Sequence, residues 1–131
     1  MSTVTDGFGL SRISQIAINV HDLGRGVAFY RDVLGMRLLF EVPPKMAFFD
    51  CAGIRLMLSL PETPEYDHPA SVIYYAVPDI QAAAGELTAR GVLFEQPPHV
   101  VARLPHEDLW MGFFRDPDGN VLALSSEVAR G

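Results

Sequence analysis

The sequence predicts an α+β domain made of two tandem βαβββ modules. Three observations support this prediction: the 131 residues suit one domain, the 49% of hydrophobic residues suffices for a packed core, and the chain repeats itself internally. In the repeat, residues 16–23 match residues 73–80, and residues 48–59 match residues 114–125. Each half therefore begins with the same strand-to-helix signal and ends with the same hairpin turn and strand.

Two helices are predicted from apolar periodicity together with suitable start and stop residues. In the first half, Asp22 suits the N-cap position and Gly35 suits the left-handed position after the last turn. In the second half, Asp79 and Gly91 take the same positions, while Gly85 inside the helix costs about 1 kcal/mol relative to alanine. The apolar stripes to be buried are Leu23, Val27, Tyr30 and Leu34 in the first helix and Ile80, Ala83 and Leu87 in the second.

The remaining strands are predicted between proline-rich breaks at Pro43-Pro44, 61–69 and Pro97-Pro98. They comprise residues 37–42, 45–50, 54–60, 92–95 and 109–114, which completes a βαβββ pattern in each half. The long proline-rich stretch is the natural connector between the halves. The predicted organisation is a tail over 1–12, a first module over 13–60, a linker over 61–70 and a second module over 71–127.

Charge and cysteine content narrow the classes of function. The chain has 10 basic and 16 acidic residues, and its net charge of −6 argues against a nucleic-acid partner. No apolar run approaches the roughly 20 residues of a membrane-spanning helix, so no membrane partner is predicted. The single cysteine, Cys51, cannot form an internal disulfide, and residues 1–9 lack the features of a signal peptide. We therefore expect a cytoplasmic protein.

The paired modules and two short motifs closely resemble the vicinal oxygen chelate superfamily, which contains glyoxalase I, bleomycin-resistance proteins, fosfomycin-resistance proteins and extradiol dioxygenases. The motifs are a helix end, Phe29-Tyr30 with Leu34-Gly35-Met36, and the turn Phe114-Arg115-Asp116-Pro117-Asp118-Gly119-Asn120. The resemblance covers residues 13–126. It implies a curved mixed sheet whose concave face forms a cup, and commonly a homodimer. The motif residues serve packing and capping, so they leave the reaction open.

The resemblance also implies where a metal would bind. Metal-using members take four ligands from the first and last strands of the two modules, and the matching positions here are Gln15, Met57, Val72 and Ala123. Glutamine is an acceptable ligand, but a thioether is a soft ligand suited to copper(I), and valine and alanine donate nothing. We therefore predict no metal cofactor. A divalent metal (Zn, Ni, Fe or Mn) held at an atypical site is the alternative.

Strand alternation identifies the side chains that would line the cup, because residues of opposite parity pack on the helices. The lining is mostly neutral and contains one cation, Arg55, which either binds a ligand carboxylate or phosphate or pairs with Glu41 or Asp50. Such a lining suits a small apolar or aromatic ligand, with Met46, Met111 and Phe114 as additional contacts. The predicted ligand-binding residues are Gln15, Asn19, Phe48, Arg55, Met57, Ser59, Val72, Tyr74, Trp110, Ala123 and Ser125.

The predicted connection over residues 99–108 is long for a hairpin and carries the densest group of titratable side chains. It is either a solvated loop or a lid over the cup. In the second case Glu107 or His106 would transfer a proton and Tyr74 would donate to a developing oxyanion.

Three functions therefore compete. The first is a metal-free binding protein that resembles the bleomycin-resistance branch of the superfamily. The second is an enzyme, either a glyoxalase-like lyase or isomerase or a dioxygenase-type protein, with an atypical metal site or metal-free acid–base chemistry. The third is a structural dimer module whose cup is filled by its own side chains.

Overall fold

The computed structural model describes residues 8–130 and contains two four-stranded mixed sheets, each with a helix on one face. The first module comprises β1 (Gln15–Asn19), α1 (Leu23–Ala28), β2 (Arg37–Val42), β3 (Met46–Cys51) and β4 (Ile54–Ser59). The second comprises β5 (Ile73–Ala76), α2 (Ile80–Ala89), β6 (Phe94–Arg103), β7 (Glu107–Arg115) and β8 (Val121–Ala129). Sheet 1, in the first module, has the strand order β1-β4-β3-β2, and sheet 2, in the second, has the order β5-β8-β7-β6. In each sheet the first two strands in this order are parallel while the others are antiparallel. The predicted fold class, two tandem βαβββ modules, is therefore confirmed.

Both helices begin as predicted. The carboxylate of Asp22 accepts a hydrogen bond from the backbone N–H of Arg25 at 2.9 Å, and Asp79 caps α2 in the same way through Ala82 at 3.0 Å. The first helix then departs from the prediction, because α1 is followed by a π-helix over Phe29–Val33. No described helix is long and apolar enough to cross a membrane.

The helix-facing sides of the two sheets and both helices form one hydrophobic core. Its largest fully buried side chains come from both modules and include Tyr30, Phe49, Phe114, Leu58 and Leu122. The two modules therefore share their buried apolar surface, so they form one domain.

A buried polar network joins the modules at the turn that precedes β8. The Tyr30 hydroxyl of the first module donates to Asp116 Oδ2 at 2.8 Å, and the side-chain amide of Asn120 donates to the backbone carbonyl of Asn19 at 3.0 Å. The Asn120 side-chain oxygen also accepts from the N–H of Ala70 in the linker, at 3.1 Å. Burial and the nearby Asp116 carboxylate raise the pKa of Tyr30. The turn thus fixes the second module against the first.

The prediction of a long loop or lid over residues 99–108 is wrong. β6 extends to Arg103 and β7 already begins at Glu107, so only residues 104–106 connect them. Pairing continues past Pro97-Pro98 because the register shifts between Gln96 and His99, and such a bulge accommodates residues without an N–H donor. β8 likewise runs to Ala129, two residues beyond the predicted module boundary.

Candidate ligand-binding site

The candidate site lies on the face of sheet 1 that points away from α1, which we call the open face of that sheet. Strand register places Ala17, Met57, Phe48 and Phe40 in one row across β1, β4, β3 and β2. The neighbouring rows hold Gln15, Arg55 and Asp50 on one side and Asn19, Ser59 and Met46 on the other. This face therefore carries all six residues of the predicted lining that belong to the first module: Gln15, Asn19, Phe48, Arg55, Met57 and Ser59.

An aromatic pair dominates this open face. The rings of Phe40 and Phe48 are stacked, with centroids 4.5 Å apart and planes 25° apart. Phe40 is 45% exposed, whereas Phe48 is 9% exposed, because Phe40 covers it. The guanidinium carbon of Arg55 lies 5.8 Å from the Phe40 ring centre and 5.7 Å from that of Phe48. A flat apolar surface with an adjacent cation is thus open to a ligand.

Sequence reasoning missed Phe40. Strict alternation from Leu38, which packs on the core, would send Phe40 to the same helix-facing side. The register of β2 and β3 shifts between Leu38 and Phe40, and this irregularity brings Phe40 opposite Phe48. No single residue in the segment signals the bulge in advance.

Arg55 forms neither of the ion pairs that were considered for it. Within residues 8–130, it has no salt bridge to Glu41 or Asp50. Asp50 lies directly opposite Arg55 on β3, but its Oδ1 accepts from the N–H of Gly53 at 3.1 Å in the hairpin turn. The guanidinium N–H groups therefore have no carboxylate partner in the described part of the chain.

Two cavities flank the aromatic pair. One, of about 350 Å³, contains Gln15 and Arg55 in its wall, and the other, of about 230 Å³, contains Met57 and Ser59. The linker closes the second cavity, since the side-chain amide of Asn19 donates to the backbone carbonyls of Tyr66 and His68. The side-chain amide of Asn19 is therefore used in hydrogen bonds to the linker, while Gln15 and Ser59 each line one of the two cavities.

Three of the remaining predicted lining residues, Tyr74, Ala123 and Ser125, lie on the open face of sheet 2. Tyr74 is 51% exposed and its ring meets Phe113 edge to face at a centroid distance of 6.1 Å, above the fully buried Ala123. Ser125 pairs with Ala76 on the same sheet, and Val72 directly precedes β5. None of five cavities found within residues 8–130 takes its walls from the open faces of both sheets. Within one chain, the predicted lining is thus divided between two surfaces.

The structure corrects the positions of Trp110 and Phe114. Because Met111 and Phe113 point to the open face, Trp110 and Phe114 point to the helix side, where both contact the hydrophobic core. The side chains of β7 that lie on the open face are thus the aromatic ring of Phe113 and the thioether of Met111. Trp110 instead borders a separate hollow next to Ile80 of α2.

The predicted acid–base residues do not meet in one chain. Tyr74 is in register with Ala123, which is opposite Phe113, and Phe113 is six residues along β7 from Glu107. Six strand residues span about 20 Å, so Tyr74 is far from both Glu107 and His106. The neighbouring Glu127 carboxylate raises the pKa of Glu107. Catalysis by Glu107, His106 and Tyr74 stays a prediction from the sequence.

The four positions that correspond to metal ligands do not form a suitable donor set. The amide nitrogen of Gln15 lies 3.9 Å from the sulfur of Met57, while Val72 and Ala123 are on the other sheet and offer only hydrocarbon. In the part of the chain that the structure describes, no three His, Cys, Asp or Glu side chains are grouped to hold a metal ion. Divalent zinc, nickel, iron or manganese would need several nitrogen and oxygen donors, and among these four positions only Gln15 offers one.

One histidine lies in a charged cluster away from the open faces. The ring nitrogens of His21 contact Asp67 at 2.8 Å and Asp118 at 3.1 Å, and Arg25 reaches Asp118 at 2.8 Å. The carboxylates of Asp67 and then Asp118 raise the pKa of His21. This cluster ties the linker to the turn before β8, so His21 has a structural explanation.

Paired βαβββ modules that present open sheet faces define a class of proteins whose sites differ by a few side chains on a common scaffold. The family model for the Glyoxalase/Bleomycin resistance protein/Dioxygenase superfamily matches residues 12–124, and the chain belongs to that superfamily. The resemblance predicted from the two sequence motifs is thereby confirmed.

Solved structures show the same fold. Lactoylglutathione lyase from Agrobacterium tumefaciens is 24% identical, with 88% of this chain and 93% of that chain covered at a TM-score of 0.72. A superfamily member from Sphaerobacter thermophilus is 26% identical, with coverages of 90% and 98% and a TM-score of 0.73. TioX from Micromonospora sp. ML1 is 20% identical, with coverages of 90% and 100% and a TM-score of 0.72. No curated protein matches the chain significantly.

Proposed function

We propose that this protein binds a small apolar or aromatic molecule on the open face of sheet 1, without a divalent metal. The observation that carries the proposal is the Phe40–Phe48 stack, exposed between two cavities. An exposed phenylalanine ring on a sheet is a large apolar surface that water solvates poorly, and a flat ligand gains both burial and ring contact there. The few polar groups around it, Gln15, Arg55 and Ser59, suit the orientation of a bound molecule.

The composition of the site supports binding over metal chemistry. The scaffold is that of a superfamily whose description includes both enzymes and resistance proteins, so family membership alone does not decide between them. The side chains support the proposal of binding, because Met57, Val72 and Ala123 supply no hard donor where a divalent metal would need one. The proposal therefore assigns no cofactor to the protein.

We also propose that the protein is a homodimer in which open faces of two chains complete each binding cup. Several large apolar side chains on or beside the open faces are exposed in one chain, namely Phe40, Val42, Val72 and Tyr74. If sheet 1 of one protomer faces sheet 2 of its partner across a shared cup, these side chains line the cup together and the divided lining is united. Sedimentation velocity at micromolar concentration is expected to give twice the 14.4 kDa mass of the chain. A species of single-chain mass would contradict the dimer.

Replacing Phe40 by alanine is expected to weaken the binding of an uncharged aromatic probe, 2-naphthamide, about five- to tenfold. The reason is the loss of the only half-exposed ring in the stack, since an aromatic contact contributes about 0.5–1.5 kcal/mol beyond the area that it buries. Binding is measured by calorimetric titration and by the chemical shifts of open-face amides.

The matched control is Leu93→Ala. Leu93 is also an exposed apolar residue, but it precedes β6 and lies outside both cavities of sheet 1. This variant is expected to bind the probe as the wild type does. Equal affinity in the wild type and the Phe40→Ala variant, or shifts confined to other surfaces, would argue against the proposed site.

A further inference from the structure

We propose that the ligand of this open face is an aromatic carboxylate, whose carboxylate is bound by Arg55 and whose ring stacks on Phe40. The inference rests on the proposed function and specifies the class of ligand. It starts from the distribution of charge around sheet 1 and from the geometry of Arg55, not from the fold.

The arginines of this chain divide into two groups. Six of the nine arginines form ion pairs with carboxylates in the described residues: Arg25, Arg31, Arg90, Arg103, Arg115 and Arg130. The three that do not are Arg12, Arg37 and Arg55, and all of them lie at the same end of sheet 1. Arg37 and Arg55 flank Asp50 in register on β2 and β4, and Arg12 borders the same cavity as Arg55.

This end of the sheet is therefore positive in a chain with a net charge of −6. Asp50 is the only carboxylate in the cavity wall, and its Oδ1 is used by the turn at Gly53. An anion that enters the cavity meets uncompensated guanidinium groups, and few acidic side chains oppose it. Neutral or cationic ligands would gain nothing from this arrangement.

The position of Arg55 favours a planar carboxylate. The guanidinium lies beside the stack at nearly equal distances from both ring centres, where its N–H donors are not consumed by the rings and their fork matches a carboxylate with two parallel hydrogen bonds. The side chain of Gln15, opposite Arg55 on β1, adds a further donor to the same cavity. Because the Arg55 carbon is 5.8 Å from the centre of the Phe40 ring, one small molecule can contact both.

The test compares 2-naphthoate with the uncharged 2-naphthamide by calorimetric titration of the full chain. The wild type is expected to bind the carboxylate at least about tenfold more tightly, since a hydrogen bond to a charged group contributes about 1.5–3 kcal/mol. Arg55→Gln is expected to weaken binding of the carboxylate at least about fivefold more than binding of the amide, so that the preference is lost. Arg31→Gln, which removes the same charge from an exposed ion pair next to Asp32, is expected to keep the preference.

Two results would overturn the inference: equal affinity of the wild type for both compounds, or a carboxylate preference that survives in Arg55→Gln. The amide separates this failure from failure of the proposed function. If the wild type binds both compounds equally and Phe40→Ala weakens both, the binding site stands and the carboxylate assignment falls. If the wild type binds neither compound, both proposals fall.

Discussion

Replacing Asp116 by alanine is expected to lower the free energy of unfolding by about 3–5 kcal/mol, because several buried donors lose one acceptor together. The carboxylate of Asp116 accepts from the Tyr30 hydroxyl at 2.8 Å and from the Asn120 side-chain amide at 2.9 Å. It also accepts from the backbone N–H groups of Asp118 and Asn120, both at 2.9 Å. Tyr30 and Asn120 are almost entirely buried, so water cannot easily replace the lost acceptor.

Urea unfolding monitored by circular dichroism measures this effect. Asp32→Ala is the control, because Asp32 is an exposed carboxylate whose ion pair with Arg31 is solvated, and it is expected to leave the free energy of unfolding nearly unchanged. Tyr30→Phe removes a single hydrogen bond and is expected to cost an intermediate amount. If Asp116→Ala is too unstable to purify, this milder variant still reports on the network. A loss in Asp116→Ala no greater than that in Asp32→Ala would refute the account.

Replacing Phe49 by alanine is expected to cost about 3–5 kcal/mol of stability, whereas the same change at Phe40 is expected to cost less than about 1.5 kcal/mol. Both residues are on sheet 1, but they point to opposite faces. Phe49 is fully buried and contacts the Tyr30 ring at a centroid distance of 6.1 Å, so its removal leaves a cavity in the core. Phe40 rests on Phe48 at the surface, where water fills the space that it vacates.

The pair of variants separates stability from binding. Phe49→Ala is expected to lower the unfolding midpoint strongly while the fraction that remains folded still binds the aromatic probe. Phe40→Ala is expected to change the unfolding midpoint little but to weaken binding of the probe. Chemical denaturation and probe titration of both variants provide the two measurements. Similar losses of stability in the two variants would show that the open face of sheet 1 is part of the core, as in a structural module with a filled cup.

Much of the fold could be predicted because its signals are local. The N-cap carboxylates of Asp22 and Asp79 and the left-handed glycines at Gly35 and Gly91 mark helix ends within a few residues of chain. The strand of residues 37–42 was predicted with its observed bounds. The internal repeat then assembled these elements into two equal modules.

The candidate site could be predicted only in part, because alternation fails where a strand is irregular. Gln15, Arg55, Met57 and Phe48 lie together on the open face as expected, since β1, β3 and β4 pair without a register shift. Phe40 was not predicted because the register of β2 against β3 shifts. The long hairpin of β6 and β7 was not predicted because strand pairing continues past Pro97-Pro98 through β-bulges.

The sequence by itself determined the two βαβββ modules and which residues of the regular strands share a face, and through the family resemblance it showed residues without a hard donor at three of the four matched positions, Met57, Val72 and Ala123. These properties depend on residue type and on spacing along the chain. Only the tertiary structure decided that Asp116 joins the modules, that Phe40 covers Phe48, and that Arg55 lies beside both rings without a carboxylate partner in residues 8–130. Those properties arise from contacts between residues distant in sequence, which chain folding brings together and which local periodicity does not encode.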